Sequence, residues 1–306
     1  MALAAAAIAV AITLAIALSG EPEYKGKRLS QWLQIYGDNY NAEPFDGIEP
    51  RNAKLEAREA ILQIGTKAIP WLTKWIGFEN RPPIRDELSA IGWAPANRAL
   101  GRVWRYVDRI GEKANYAALG FEILGERANG AVPALTRLLR STSPTNQYPR
   151  PTIPRPAEAL GWIGKEGLPA LAEYVADARN GQDRAAVVSF LGHASDRLGT
   201  NANFLVPGLV NGLQGTDIYL ATTCAVALRR LKVDPETVAP ALGKTLNSND
   251  RGLVMNVISA LEEKGRKAES AVPALIELVN GPDGSIGKAA GAAVRVIAPE
   301  RLEKRE

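Results

Sequence analysis

The sequence predicts an all-α fold, an α-solenoid of stacked antiparallel helix pairs. Two observations carry this: an apolar pattern that occurs six times, and a glycine that closes the stretch ahead of most copies. The pattern is clearest in Ala271-Val272-Pro273-Ala274-Leu275-Ile276-Glu277-Leu278-Val279. Aligned on its proline, the set is Pro70, Pro133, Pro169, Pro207, Pro240 and Pro273. Two positions on stand Leu72, Leu135, Leu171, Leu209, Leu242 and Leu275. Six positions on stand Ile76, Leu139, Val175, Leu213, Leu246 and Val279. The proline spacings are 63, 36, 38, 33 and 33, so the first gap reads as close to two units. A period in this range marks a repeat array.

Each copy predicts a helix, the B helix of its unit. Proline fits the first turn, where its missing N–H has no intrahelical partner. Aliphatic residues at two and six after it, with Leu138 or Leu278 at five, make one apolar face. Ahead of the B helices, Gly65, Gly125, Gly164, Gly199 and Gly265 follow helical stretches. Glycine there supplies the left-handed conformation that closes an A helix. The A helices are rich in small residues, as in Ala221, Cys224, Ala225 and Leu228 at helical spacing, which lets neighbours approach closely. Neither helix can bury its face alone, whereas stacked pairs can.

In chain order, residues 2–18 are apolar apart from Thr13. That run predicts a signal peptide or membrane anchor over residues 1–20, hence an exported or membrane-anchored protein of the cell envelope, with a cytoplasm-facing anchor as the alternative. Residues 21–52 read as an N-terminal cap segment, with a short helix around Trp32, followed by an acidic loop. The loop lacks the ordered carboxylate spacing of a calcium site. The solenoid is expected over 53–298 and a charged tail over 299–306. Within the array, Ala94-Pro95 starts a helix to about Ile110, with Arg98, Arg102, Arg105 and Arg109 on one face. Residues 141–156 hold Pro144, Pro149, Pro151, Pro154 and Pro156 and read as a surface loop.

The run 271–278, followed by Gly281-Pro282-Asp283 and Lys288-Ala289-Ala290-Gly291-Ala292-Ala293-Val294, resembles short HEAT repeats of the phycobilisome-lyase-like type. The likeness covers roughly residues 53–298. The run from Glu21 to Leu33 resembles the N-terminal segment of membrane-targeted bacterial HEAT-repeat proteins. The resemblance implies a HEAT/ARM-like superhelix and allows a lyase-like HEAT enzyme, or a chromophore- or anionic-polymer-binding protein, as the alternative to a scaffold. It transfers no catalytic residue, because the motif holds only packing positions.

The residues themselves point away from chemistry. His193 is the sole histidine, so a multi-imidazole metal site is excluded and any His-based triad would have to use it. Cys224 is the sole cysteine, excludes an internal disulfide, and reads as core. Gly243-Lys244-Thr245 lacks the leading glycine of a phosphate loop, since Val238 stands in its place. A net charge of +4 is too small to imply nucleic acid. No catalytic, metal or cofactor residues are therefore assigned. The expected function is a non-enzymatic scaffold for protein–protein interaction. Its expected binding face is concave and built from non-core positions of the B helices, one, four and seven after each proline. The basic and aromatic members, Trp71, Lys74, Arg137 and Arg140, fall in the first two units, near the Arg98–Arg109 face in sequence. Tryptophan and arginine are frequent interface anchors, so the expected partner is an acidic protein segment or another anionic polymer.

Overall fold

The computed structural model describes residues 20–40, 48–77, 113–114, 116–141, 153–177 and 183–303. It divides into two compact units, residues 1–141 and 142–306. In both, the described residues are almost wholly helical, and the expected all-α repeat architecture is what is observed.

The second unit shows the repeat most fully. Its A helices are α6 (Arg155–Ile163), α8 (Asp183–His193), α11 (Ile218–Arg230), α13 (Arg251–Lys264) and α15 (Gly284–Ile297). Each packs on the next, forming one layer. Its B helices are α7 (Leu168–Ala176), α10 (Val206–Leu213), α12 (Pro235–Thr245) and α14 (Val272–Val279), which form the other layer. A short helix α9 (Ser195–Leu198) extends the A side after α8, and α16 (Glu300–Glu303) follows α15.

The first unit opens with a two-residue-per-strand hairpin, β1 (Glu23–Tyr24) and β2 (Lys27–Arg28). Its turn places Lys25 and Gly26 at φ of 47° and 74°, as a tight hairpin with the native strand twist requires. The cap helix α1 (Leu29–Asp38) buries Leu29, Trp32, Leu33 and Tyr36. Trp32 Nε1 donates to Tyr24 O at 3.0 Å, tying the helix back to the hairpin. Then come α2 (Ile48–Ile64), α3 (Ile69–Ile76), a helix at residues 116–124 (α4) and α5 (Val132–Ser141).

Packing follows the repeat positions. The leucine two after each proline is at most 1% exposed in all six B helices. Burying such a side chain contributes about 1.5–3 kcal/mol. The proline itself, on the opposite face, is exposed in all six. Close approach is built into small residues. A Cβ added at Gly208 on α10 would lie 2.6 Å from the Ala172 carbonyl oxygen of α7, and one at Gly212 would lie 2.7 Å from Cys224 Sγ of α11.

All five expected closing glycines adopt positive φ, between 53° at Gly199 and 90° at Gly164. Beyond them lies a feature the pattern did not reveal. Four A-to-B connections are 3₁₀ elbows, at 65–68, 125–131, 199–205 and 265–271. An alanine three residues after the glycine, Ala68, Ala128, Ala202 or Ala268, is fully buried in each. The A helices α11, α13 and α15 start on Asp217, Asp250 and Asp283, whose carboxylates accept from Leu220, Leu253 and Ile286 N–H at 3.1, 2.7 and 3.1 Å. Such a cap is worth roughly 1 kcal/mol.

Three expectations are corrected. Pro240 is not in a first turn but inside α12, because Asp234 caps the helix and Pro235 starts it a turn and a half earlier. The 63-residue gap is one stacking step in space: the elbow ahead of α5 packs on α3, as the 265–271 elbow packs on α12. The exported or membrane-anchored localisation is also overturned, since no helix among the described residues is long and apolar enough to cross a membrane. The apolar run at 1–19 itself lies outside the described residues, as does the arginine face of 98–109.

Two sets of substitutions test the packing by urea denaturation. Leu135→Ala, Leu171→Ala and Leu242→Ala should each cost about 2–5 kcal/mol, whereas Asn211→Ala, on the exposed face, should stay within about 0.5 kcal/mol. Gly167→Ala should destabilise by at least about 1–3 kcal/mol, since its Cβ would meet the Leu160 carbonyl oxygen at 2.2 Å. Gly130→Ala meets nothing within 4 Å and serves as the control.

Candidate functional site

The repeat creates a surface as regular as its core. The position four after each proline is exposed in every B helix: Lys74, Arg137, Glu173, Asn211, Lys244 and Glu277. Seven after, Arg140, Ala176, Gln214, Asn247 and Asn280 are exposed, while Gly77 is half-buried. The proline, the fourth and the seventh positions lie along one helical stripe. Inside, the residue type is held constant; along this stripe it changes from repeat to repeat.

The position one after the proline belongs elsewhere. Ala134, Ala170 and Ala274 are half-buried, Gly208 and Ala241 buried. Gly208 shows why: this position faces the preceding B helix. Trp71 occupies it in α3, the first B helix described, and remains half-exposed. Its ring lies 6.0 Å from that of Trp75 and carries the Lys74 ammonium 5.4 Å above its centroid. Lys74 and Arg137 thus sit at the same register position on α3 and α5, which touch where Leu138 packs against Gly77. Neither α3 nor α5 contains an acidic residue. Arg140 is one turn further along α5. Of the eight sequence-assigned residues, Trp71, Lys74, Arg137 and Arg140 are therefore placed in the first unit. Arg98, Arg102, Arg105 and Arg109 lie outside the described residues.

Several ionisable groups elsewhere join helix ends to their neighbours. His193 ends α8; its Nδ1 lies 2.7 Å from Ser189 O and its Nε2 2.9 Å from Arg230 Nη1. A carbonyl can only accept and a guanidinium only donate, so His193 carries its proton on Nδ1 and bridges α8 to α11. Lys264 Nζ donates to Leu231 O at 2.8 Å and Arg229 O at 3.4 Å, capping the open carbonyls of α11. Burial lowers its pKa, against the opposing charge of Glu263. Arg184 is buried and donates to Val175 O at 3.5 Å, at the end of α7. Burial and the Asp183 charge push the nearby Tyr174 phenol well above its ordinary range, against an opposing effect of Arg184. Among the described residues no group of three or more His, Cys, Asp or Glu side chains could hold a metal.

In the first unit, Glu21 reaches under the cap. It pairs with Lys113 and accepts from Ser30 N–H at 3.2 Å. Lys113 in turn lies 5.1 Å from the centroid of the Trp75 ring, beside an open depression of about 250 Å³. Burial raises the Glu21 pKa, but the Lys113 and Ser30 interactions outweigh it and the net shift is downward.

No family model matches the chain, and no curated protein matches it. Among solved structures it is similar to a designed armadillo repeat protein at 15% identity, covering 88% of this chain and 100% of that one, with a TM-score of 0.30. A second similar structure is a computationally designed armadillo repeat protein for modular peptide recognition, at 16% identity, with 88% and 100% coverage and a TM-score of 0.21. The repeat fold rests on the helix packing itself.

Two measurements check these assignments. The Glu21 carboxyl has its pKa lowered by folding, so its contribution is intact at neutral pH and is lost as acid carries it through the lowered value. Glu21→Gln should therefore flatten the acid limb of first-unit stability, read by urea midpoints at pH 7 and pH 3.5. Burial pushes the Cys224 thiol up to about 12, against an opposing effect of Arg184. It should react with a disulfide reagent only as fast as the second unit opens, and promptly in denaturant.

Proposed function

We propose that this protein is a non-enzymatic repeat scaffold of HEAT type that binds a protein partner along the exposed stripe of its B helices. The observation that carries the reading is the contrast within each B helix. The second position after the proline is leucine and buried six times out of six, while the fourth is exposed six times and varies from lysine to glutamate. A stack of this kind spends its repeated residues on neighbour contacts and leaves its variable ones to solvent, the division expected of a binding array. The unit of two helices joined by a short elbow supports the HEAT-type reading. The repeat fold fits a scaffold role.

The first unit gives the partner its character. Trp71, Lys74, Arg137 and Arg140 combine an aromatic wall with cations on two helices that carry no acid. Arginine and lysine with tryptophan suit an acidic protein segment, because cation and carboxylate pair while the indole removes apolar area from water.

Fluorescence anisotropy of a labelled glutamate-rich peptide against the full chain tests this. Binding should weaken as salt rises from 50 to 300 mM, and a lysine-rich peptide of equal length should not bind. The pair Lys74→Glu and Arg137→Glu should reduce affinity by about ten-fold or more while leaving the urea midpoint unchanged. Glutamate- and lysine-rich peptides binding equally, or unaltered binding by the double variant, would reject the reading.

A further inference from the structure

We propose that the first unit reads an extended acidic segment in a register of three residues per repeat step. This rests on the reading of the α3–α5 stripe as the binding face and specifies what that face recognises. Lys74 and Arg137 occupy the same position of two B helices, four after Pro70 and four after Pro133. The two helices are successive in the stack: the 125–131 elbow packs on α3, and Leu138 of α5 lies against Gly77 at the end of α3. Packed helix axes lie about 8–10 Å apart, so equivalent side chains repeat at about that interval. An extended segment in the polyproline II conformation advances about 3.1 Å per residue and turns once every three residues. Three residues therefore span one step, and carboxylates at i and i+3 meet Lys74 and Arg137 in turn. Because three residues complete one turn of such a segment, the side chains at i and i+3 face the helices together.

Two further features favour this register. The Lys74 ammonium lies 5.4 Å from the Trp71 ring centroid, so an aromatic contact is offered at the same step as the cation. Arg140 lies one turn beyond Arg137 along α5, on the same exposed stripe. The segment thus runs across the helices, with its acidic residues on a three-residue repeat and an apolar residue opposite Trp71.

The test uses labelled peptides of equal length, composition and net charge. One places glutamate at every third position between serines; one groups the same glutamates in a single block; one places them at every second position. With the full chain at 150 mM salt, the every-third peptide should bind at least about five-fold more tightly than the other two. Lys74→Gln or Arg137→Gln should each remove that preference, with Lys244→Gln in the second unit as a control that leaves it intact. Circular dichroism and the urea midpoint confirm that the variants fold. Equal binding of all three peptides overturns the register while the acidic-partner reading survives. Binding by none of them overturns both.

Discussion

Everything in this structure depends on one constraint: no helix in the chain can cover its own apolar face. Burial is achieved against the next helix of the same layer and the partner in the other layer. That explains why glycine and alanine occupy the contact positions. Gly208 lets α10 come within reach of the α7 backbone, and Gly243 does the same for α12 against Ala271, where an added Cβ would lie 3.3 Å from the alanine Cβ. The constraint also explains an exception. The sixth position after the proline is at most 2% exposed in five B helices, yet Val279 is only half-buried. It sits on α14, after which no further B helix follows among the described residues.

Polar end-groups add to this burial by marking the ends of the helices. Asp217, Asp250 and Asp283 start three A helices at intervals of 33 residues. Lys264 closes the end of α11, and the elbow glycines take the one conformation that an L-residue resists. These contacts fix where each helix begins and stops.

Much of the fold was legible because packing requires fixed residue types at fixed spacing. Leucine two after proline, and a left-handed glycine before the elbow, leave direct traces in the sequence. The caps were equally periodic, yet an aspartate reads as solvated surface unless its hydrogen bond to the helix start is known. Pro240 misled because its neighbours match the motif, while the stronger start signal, Asp234 with Pro235, lies earlier in the same helix. The exposed stripe was legible in part. The fourth position could be recognised as outward-facing from helical geometry. The first could not: whether it faces solvent or the preceding helix depends on how successive B helices stack, which a single helix does not reveal. Trp71 shares in both, since it stands at a stacking position and remains half-exposed.

The charge of this surface matters locally rather than globally. The net charge of +4 is spread over 37 basic and 33 acidic residues, too evenly to steer a partner from a distance. In the second unit, cations and anions answer one another: Arg251 lies 3.3 Å from Asp283, Lys232 3.1 Å from Asp196 and Arg301 3.7 Å from Glu269. On its B stripe, Lys244 stands between Asn211 and Glu277. The α3–α5 stripe carries cations on successive helices, and neither helix itself contains an acid. At physiological ionic strength charges are screened over about 8 Å, close to the 8–10 Å that separates packed helices. Each cation therefore acts on the charge directly opposite it and only weakly on the next. For the acidic segment proposed as partner, the placing of carboxylates counts for more than their number, because a carboxylate out of step with the helices gains little from a cation one repeat away.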